Sequence, residues 1–310
     1  MVTAPHLSAW SACQIVFAQL LLAVLCGCTQ PDADKPLIPV RDDLQREVRV
    51  PVSPDRVLSL APSLTEIIYA AGAGHKVVGV TTADDYPAVV LSLPRFSALP
   101  VNFEAVAALE PDLILASDQI NSPQDAATLA AIGLPVYFVG VRTLDDMLKS
   151  IRTVGYLLGT SPAANRTADS LEASLAALAD RTAAVQIRPS TLFLVGDATL
   201  YAFGKGSYMH SMIALAGGKS VTRDHNMASP VLTDEYVLTR KPEVIIGSFG
   251  MDHSSETLLE HHRTWDLVPA IVQGRVYSVP GDYFLRPGPR LVTGAWMLVA
   301  LLHPDLVPSP

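Results

Sequence analysis

The side chains best suited to chemistry are gathered in one short stretch, Gly281-Asp282-Tyr283-Phe284-Leu285-Arg286-Pro287-Gly288-Pro289-Arg290. An acid, two aromatic rings and two guanidinium groups stand in a proline-stiffened loop between the last strand and the last helix that the pattern predicts. α/β sheets place ligands at the loops that follow the carboxyl ends of their strands. Non-covalent binding is therefore the chemistry expected here. The competing reading is a rigid turn in which Arg290 simply opens a helix.

Other chemical candidates carry less. Glu104 and Glu235 fall in the first turns of two expected helices, where a carboxylate interacts favourably with the helix dipole; the alternative is an acidic knob offered to a partner. His253, His261 and His262 lie together in MDHSSETLLEHH. Imidazoles are common zinc ligands, but no ligating residue elsewhere is tied to them by spacing, and a solvated face is expected. Ser63-Leu64-Thr65-Glu66 reads as a capping box, which gives Glu66 a structural role. Gly218-Lys219-Ser220 lacks the earlier glycine of a phosphate loop, since Ile213 stands there, and Gly217-Gly218 reads as a helix stop. Hydrolase-elbow, zinc-protease and paired-cysteine motifs are absent from the sequence, so no catalytic residue is assigned.

The elements that must position these residues alternate. Strands are expected at 56–60, 77–80, 113–116 and 136–139, with helices at 63–71, 102–110 and 125–132. From Thr143 the strand signal stops, and two helical stretches follow, 143–158 and 162–185. The second is rich in Ala and Leu, lacks Gly, and at 1.5 Å per residue would form a rod of roughly 35 Å. The alternation resumes with strands at 191–195, 243–247 and 275–279 and helices at 208–216, 234–240 and 290–302. Such alternation argues for parallel sheets covered by helices. The two halves also repeat each other: NFEAVAALEPDLILAS at 102–117 and TDEYVLTRKPEVIIGS at 233–248 match at a constant offset of 131, which pairs Glu104 with Glu235. The fold class expected is α/β, two similar lobes with parallel-type sheets joined by one long α-helix, with a ligand cleft between the lobes. The segments are a signal at 1–27, a tether at 28–47, an N-terminal lobe at 48–142, a helical connector at 143–188 and a C-terminal lobe at 189–310.

Composition restricts the function. Lys and Arg number 22 against 30 Asp and Glu, a formal net charge of −8, which excludes the basic face a nucleic-acid binder needs. Hydrophobic residues make up 49% and charged residues 17%, so the chain can build a core and is not disordered. All three cysteines, Cys13, Cys26 and Cys28, lie in the first 28 residues, and the body has neither disulfide nor thiol nucleophile. Residues 15–27 are apolar except for Gln19, too short to span a bilayer but fitting the core of a secretory signal. Leu25-Cys26-Gly27-Cys28 is similar to a bacterial lipobox, which would make Cys28 a lipid anchor. The usual basic start of a signal is missing, with only His6 titratable there.

RVLSLAPSLTEIIYAAGAGHKVVGV, the following Asp85-Tyr86-Pro87, EPDLILAS, the uninterrupted middle helix and RPGPRLV, in that order, resemble the periplasmic-binding proteins for cobalamin and ferric siderophores. The resemblance runs from about residue 44 to 302. It implies a non-enzymatic protein that holds a bulky metal chelate in the cleft and delivers it to an ABC permease dimer and its ATPase. No intrinsic cofactor is implied, the protein would sit on the extracytoplasmic face by its lipid anchor, and it is expected to act as a monomer. In the cobalamin-binding member one Glu per lobe docks on permease arginines, and these match Glu104 and Glu235. Its ligand-contacting Asp and Arg match Asp282 and Arg286. Its N-lobe stacking aromatics are replaced here by Ala83, Leu99 and Ser117, while Tyr201 keeps an aromatic place. Tyr86, Tyr201, Tyr283 and Arg286 are expected to line the cleft. Haem, a zinc receptor using the three histidines, and a non-transporting sensor or structural lipoprotein are the alternatives. A nitrogenase-cofactor-like enzyme would need cluster cysteines that the body lacks.

Overall fold

The computed structural model describes residues 36–250 and 255–306. It opens with an antiparallel hairpin, β1 (Leu37–Arg41) and β2 (Glu47–Pro51). This corrects the expected tether over residues 37–47. Its alternation of half-buried and exposed side chains is too short to stand out in the sequence. Pro39 is tolerated because a two-stranded ribbon is all edge. Asp42 holds the turn by accepting from the Leu44 and Arg46 amides at 3.1 and 2.9 Å. Arg46 then pins the ribbon to the first lobe by donating to the Val136 carbonyl at 2.8 Å.

The first lobe contains β3 (Val57–Ser59), α1 (Pro62–Ala70), β4 (Val77–Thr81), β5 (Arg95–Phe96), α2 (Phe103–Ala108), β6 (Leu113–Ser117), α3 (Pro123–Ala131) and β7 (Val136–Val139). Its sheet has the order β5-β4-β3-β6-β7, every neighbour parallel. The connector is α4 (Leu144–Leu157) and α5 (Ser161–Thr182). With 22 residues, α5 is about 33 Å long. The second lobe contains β8 (Ser190–Val195), β9 (Tyr201–Ala202), α6 (Tyr208–Leu215), β10 (Lys219–Ser220), α7 (Asp234–Arg240), β11 (Val244–Ser248), α8 (Ser255–His261), α9 (Pro269–Val272), β12 (Val276–Ser278) and α10 (Leu291–Leu302). Its parallel order is β10-β8-β11-β12, and β9 pairs antiparallel with β8.

The central strands β6 and β11 are apolar up to a closing serine because helices cover both faces. One apolar core runs through both lobes and the connector, joining Ile67 and Ile68 of α1, Ile151 of α4, Leu178 of α5, Met212 of α6 and Leu298 of α10. Two smaller cores fill the outer faces, around Ile114 and Phe138 in the first lobe and around Ile245 and Trp265 in the second.

The internal repeat extends to the backbone. Asn102 caps α2 by accepting from the Ala105 amide at 3.1 Å, and Thr233 caps α7 by accepting from the Tyr236 amide at 3.2 Å. Each helix is followed, just before a proline, by a residue at positive φ, Glu110 at 45° and Lys241 at 47°. A residue before proline ordinarily takes extended φ, so the same unusual turn at the same offset marks two copies of one unit.

One expected cap does not form. The N-cap of α1 is Ala61, without a side-chain bond, and Pro62 supplies the first turn. Ser63 and Glu66 are buried instead of reaching back along the helix. Glu66 has another partner.

Candidate functional site

The site lies at the carboxyl ends of the strands of both lobes. From the second lobe come the residues after β12, where Gly281–Tyr283 forms one 3-10 turn and Arg290 caps α10. Phe284 fixes this loop from below. It is fully buried, its ring lies 5.3 Å from that of Phe193, and its carbonyl accepts from the Tyr208 hydroxyl at 2.8 Å. From the first lobe come Glu66 on α1 and Ala83, Asp85 and Tyr86 in the loop after β4.

The two sets meet in a network of charges. Arg290 donates through Nε to Glu66 Oε2 at 3.0 Å and through Nη2 to Oε1 at 2.7 Å, a two-pronged pair. The Glu66 side chain is 2% exposed. The Arg290 guanidinium also lies over the Tyr86 ring at 4.5 Å and near the Tyr283 ring at 5.5 Å. Arg286 grips Asp85 with both prongs of its fork, Nη1 to Oδ1 and Nη2 to Oδ2, the latter at 3.0 Å. It also faces Asp282 at 3.2 Å, and Asp282 stands 3.6 Å from Arg290. Gly288 permits the close approach, because a Cβ there would meet Glu66 Oε2 at 3.2 Å.

Electrostatics follows from burial and pairing. Burial pushes the Glu66 carboxyl above its ordinary value, and the bonds and charge of Arg290 only partly offset this. For Arg290 the balance is the opposite: burial opposes its charge, but Glu66 and the nearby aspartates hold the guanidinium more firmly protonated. The pair thus favours the cation more than it compensates the anion. Asp85 is held below its ordinary value, chiefly by its hydrogen bonds from Arg286.

The structure brings Tyr86, Asp282, Tyr283 and Arg286 together, but among the described residues Tyr201 shares no hydrogen bond, ion pair or ring contact with them. It stands 51% exposed on β9. Two of these residues read otherwise in the sequence, Glu66 as a cap and Asp85 only as part of a motif, while Arg290 is there left open between a ligand group and a helix opener. Glu66 had a signal: a carboxylate set among Leu64, Ile67 and Ile68, all core-facing, demands a buried cation.

Glu104 and Glu235 are exposed in the first turns of α2 and α7, and neither makes an ion pair or side-chain hydrogen bond among the described residues. Cys28 and His253 lie outside the described residues. His262 is not on a solvated face, which corrects that expectation. It is 6% exposed and stacked on Trp265 at 4.3 Å, with Nδ1 2.7 Å from Asp234 Oδ1 and Nε2 2.6 Å from the Asp197 carbonyl. Both its nitrogens are engaged, so it clamps the start of α7 to the segment after α8. Among the described residues no group of three or more His, Cys, Asp or Glu could hold a metal ion. No helix among them is long and apolar enough to cross a membrane.

Two α/β lobes on a long connecting helix, with charged and aromatic side chains converging where the strand ends meet, define a solute-binding architecture. The chain belongs to the periplasmic binding protein family, whose model matches residues 57–283. An uncharacterized ABC transporter substrate-binding lipoprotein, YvrC, of Bacillus subtilis strain 168 is 30% identical over 94% of this chain and 97% of its own. Among solved structures, the periplasmic vitamin B12 binding protein BtuF of Vibrio cholerae superposes with a TM-score of 0.71 and 27% identity, over 81% of this chain and 98% of that one. The periplasmic heme-binding protein RhuT of Roseiflexus sp. RS-1 gives 0.70 and 27%, over 82% and 99%.

Proposed function

We propose that this chain is the extracytoplasmic substrate-binding component of an ABC importer. It captures a bulky metal chelate, a corrinoid or ferric siderophore, between its lobes and hands it to a dimeric permease with its ATPase. Cys28 would carry the lipid that keeps it at the membrane. The observation that carries this reading is the convergence of Tyr86 and Asp85 from one lobe with Asp282, Tyr283 and Arg286 from the other. Rings offer broad rigid contact to a large planar or amide-rimmed ligand, and Arg286 with Asp85 and Asp282 supplies charged groups at its rim. The kinship to a lipoprotein of ABC transport and to a vitamin B12 binding protein supports the class. Glu104 and Glu235, one per repeat and both exposed, are the proposed contacts to permease cations.

A second reading, haem, draws on the exposed Tyr86 phenol in the cleft and on the kinship to a heme-binding protein. The experiment is native mass spectrometry of the chain from Cys28 onward against cyanocobalamin, ferrioxamine and haemin. A one-to-one complex with cyanocobalamin or ferrioxamine supports the main reading. Exclusive binding of haemin replaces it by the second, and binding of none removes the chelate assignment.

A further inference from the structure

The charges in the cleft can be counted. Glu66, Asp85 and Asp282 contribute three carboxylates, and Arg286 and Arg290 two guanidinium groups. The neighbouring Asp84, buried against Thr81, and Arg95, which donates to the Thr82 and Asp84 carbonyls, add one charge of each sign. With every carboxylate ionised the floor is negative by one charge; with Glu66 protonated it is neutral. In neither state is there a cationic surplus.

Both arginines are also already engaged. Arg290 spends Nε and Nη2 on a carboxylate that is 2% exposed and lies against two rings. Arg286 is the more exposed of the two, and both of its prongs are taken by Asp85, with Asp282 at its flank. A carboxylate on an incoming ligand could take the same two-pronged hold on Arg286 only by displacing Asp85, which returns one anion to the cleft for each one bound. A ligand that offers amide or hydroxamate oxygens, or carries positive charge, incurs no such repulsion. Where it carries N–H groups or an ammonium, these can donate to the free oxygen lone pairs of Asp85 and Asp282.

We propose that Asp85 is a specificity-determining residue of this site. By occupying the Arg286 fork it excludes carboxylate-bearing chelates and selects neutral or cationic ones. Specificity here comes from a repulsive element rather than from an added attraction. The proposal rests on the reading of the cleft as a chelate site and narrows it, placing amide-rimmed corrinoids and hydroxamate siderophores above haem and other anionic complexes.

The test compares neutral cyanocobalamin and cationic ferrioxamine with propionate-bearing haemin, by titration calorimetry on the wild-type chain, Asp85→Ala and Asp85→Glu. Thermal melts check that each variant is folded. Wild type should bind at least one of the first two more tightly than haemin. Asp85→Ala should raise haemin affinity by about tenfold, the scale of one charged hydrogen bond gained, and narrow the ratio accordingly. Asp85→Glu, which keeps the anion on the fork, should keep the wild-type ratio. An unchanged ratio in Asp85→Ala, or a wild type that prefers haemin, overturns the proposal while leaving the chelate reading standing. If none of the three probes binds any variant, the chelate reading fails and the proposal fails with it.

Discussion

Glu66 and Arg290 show how a single residue pair sets the character of the site. A carboxylate 2% exposed would be costly alone, and its partner is two-pronged and itself mostly buried. The raised Glu66 value has a definite consequence for stability against pH. A folded-state value above the unfolded one means that its contribution is fully present below about pH 4.5 and is lost as pH rises through the folded value. Asp85 acts oppositely: its contribution is present above about pH 3.8 and is lost as pH falls through its lowered value. Glu66→Gln keeps the shape and removes the titration. The stability difference, wild type minus variant, should therefore decline as pH is raised from 4.5 towards 7 in urea denaturation. A difference that stays flat or rises would show that the carboxylate is not penalised by burial. Arg290→Met, which strands the carboxylate, should cost about 3 kcal/mol at neutral pH.

At the scale of elements, the loop after β12 must hold Asp282, Tyr283, Arg286 and Arg290 at fixed positions against the other lobe. Its backbone closes on itself where the Phe284 and Leu285 amides donate to the Gly281 carbonyl, and Phe284 packs beneath it. Phe284 is fully buried between Phe193 and the helix bearing Tyr208. Phe284→Ala should cost about 3–5 kcal/mol in unfolding free energy, and chelate affinity should fall even where the protein stays folded. Denaturant midpoints and calorimetry on the same samples measure both. Loss of stability without loss of affinity would mean that the loop is held by its charges instead. Also in the second lobe, the His262 clamp on Asp234 fixes the first turn of α7 and thereby the place of Glu235.

For the whole molecule, the long connector and the core shared by both lobes resist large relative motion. The two exposed glutamates therefore stand on a scaffold of nearly constant geometry. Paired charges at the proposed permease interface would give orientation and on-rate more than affinity. Glu104→Arg with Glu235→Arg should abolish transport in cells carrying the cognate permease, while ligand affinity and melting temperature stay close to wild type. Uptake of labelled ligand beside calorimetry on purified protein separates these. Undiminished transport in the double variant would reduce both residues to helix-end charges.

The sequence by itself determined most of what depends on local pattern. The strand and helix alternation, the connector, the caps at Asn102 and Thr233, and the duplicated unit could be read because periodicity and end signals are properties of neighbours along the chain. The loop 281–290 was legible for the same reason: its composition is unusual wherever it folds. The hairpin of β1 and β2 was not, since five-residue strands broken by Pro39 carry too little pattern. Only the tertiary structure decided the partners. Glu66 passed as a cap because Ser63 stands at the right spacing, yet burial of α1 turned it towards a guanidinium 224 residues away. Asp85 and Arg286 are 201 residues apart, and no spacing rule connects them. His262 looked solvated in a polar segment until Trp265 and Asp234 enclosed it. Charge pairing in a core is settled by which surfaces exclude water together, and that is known only once the lobes have packed.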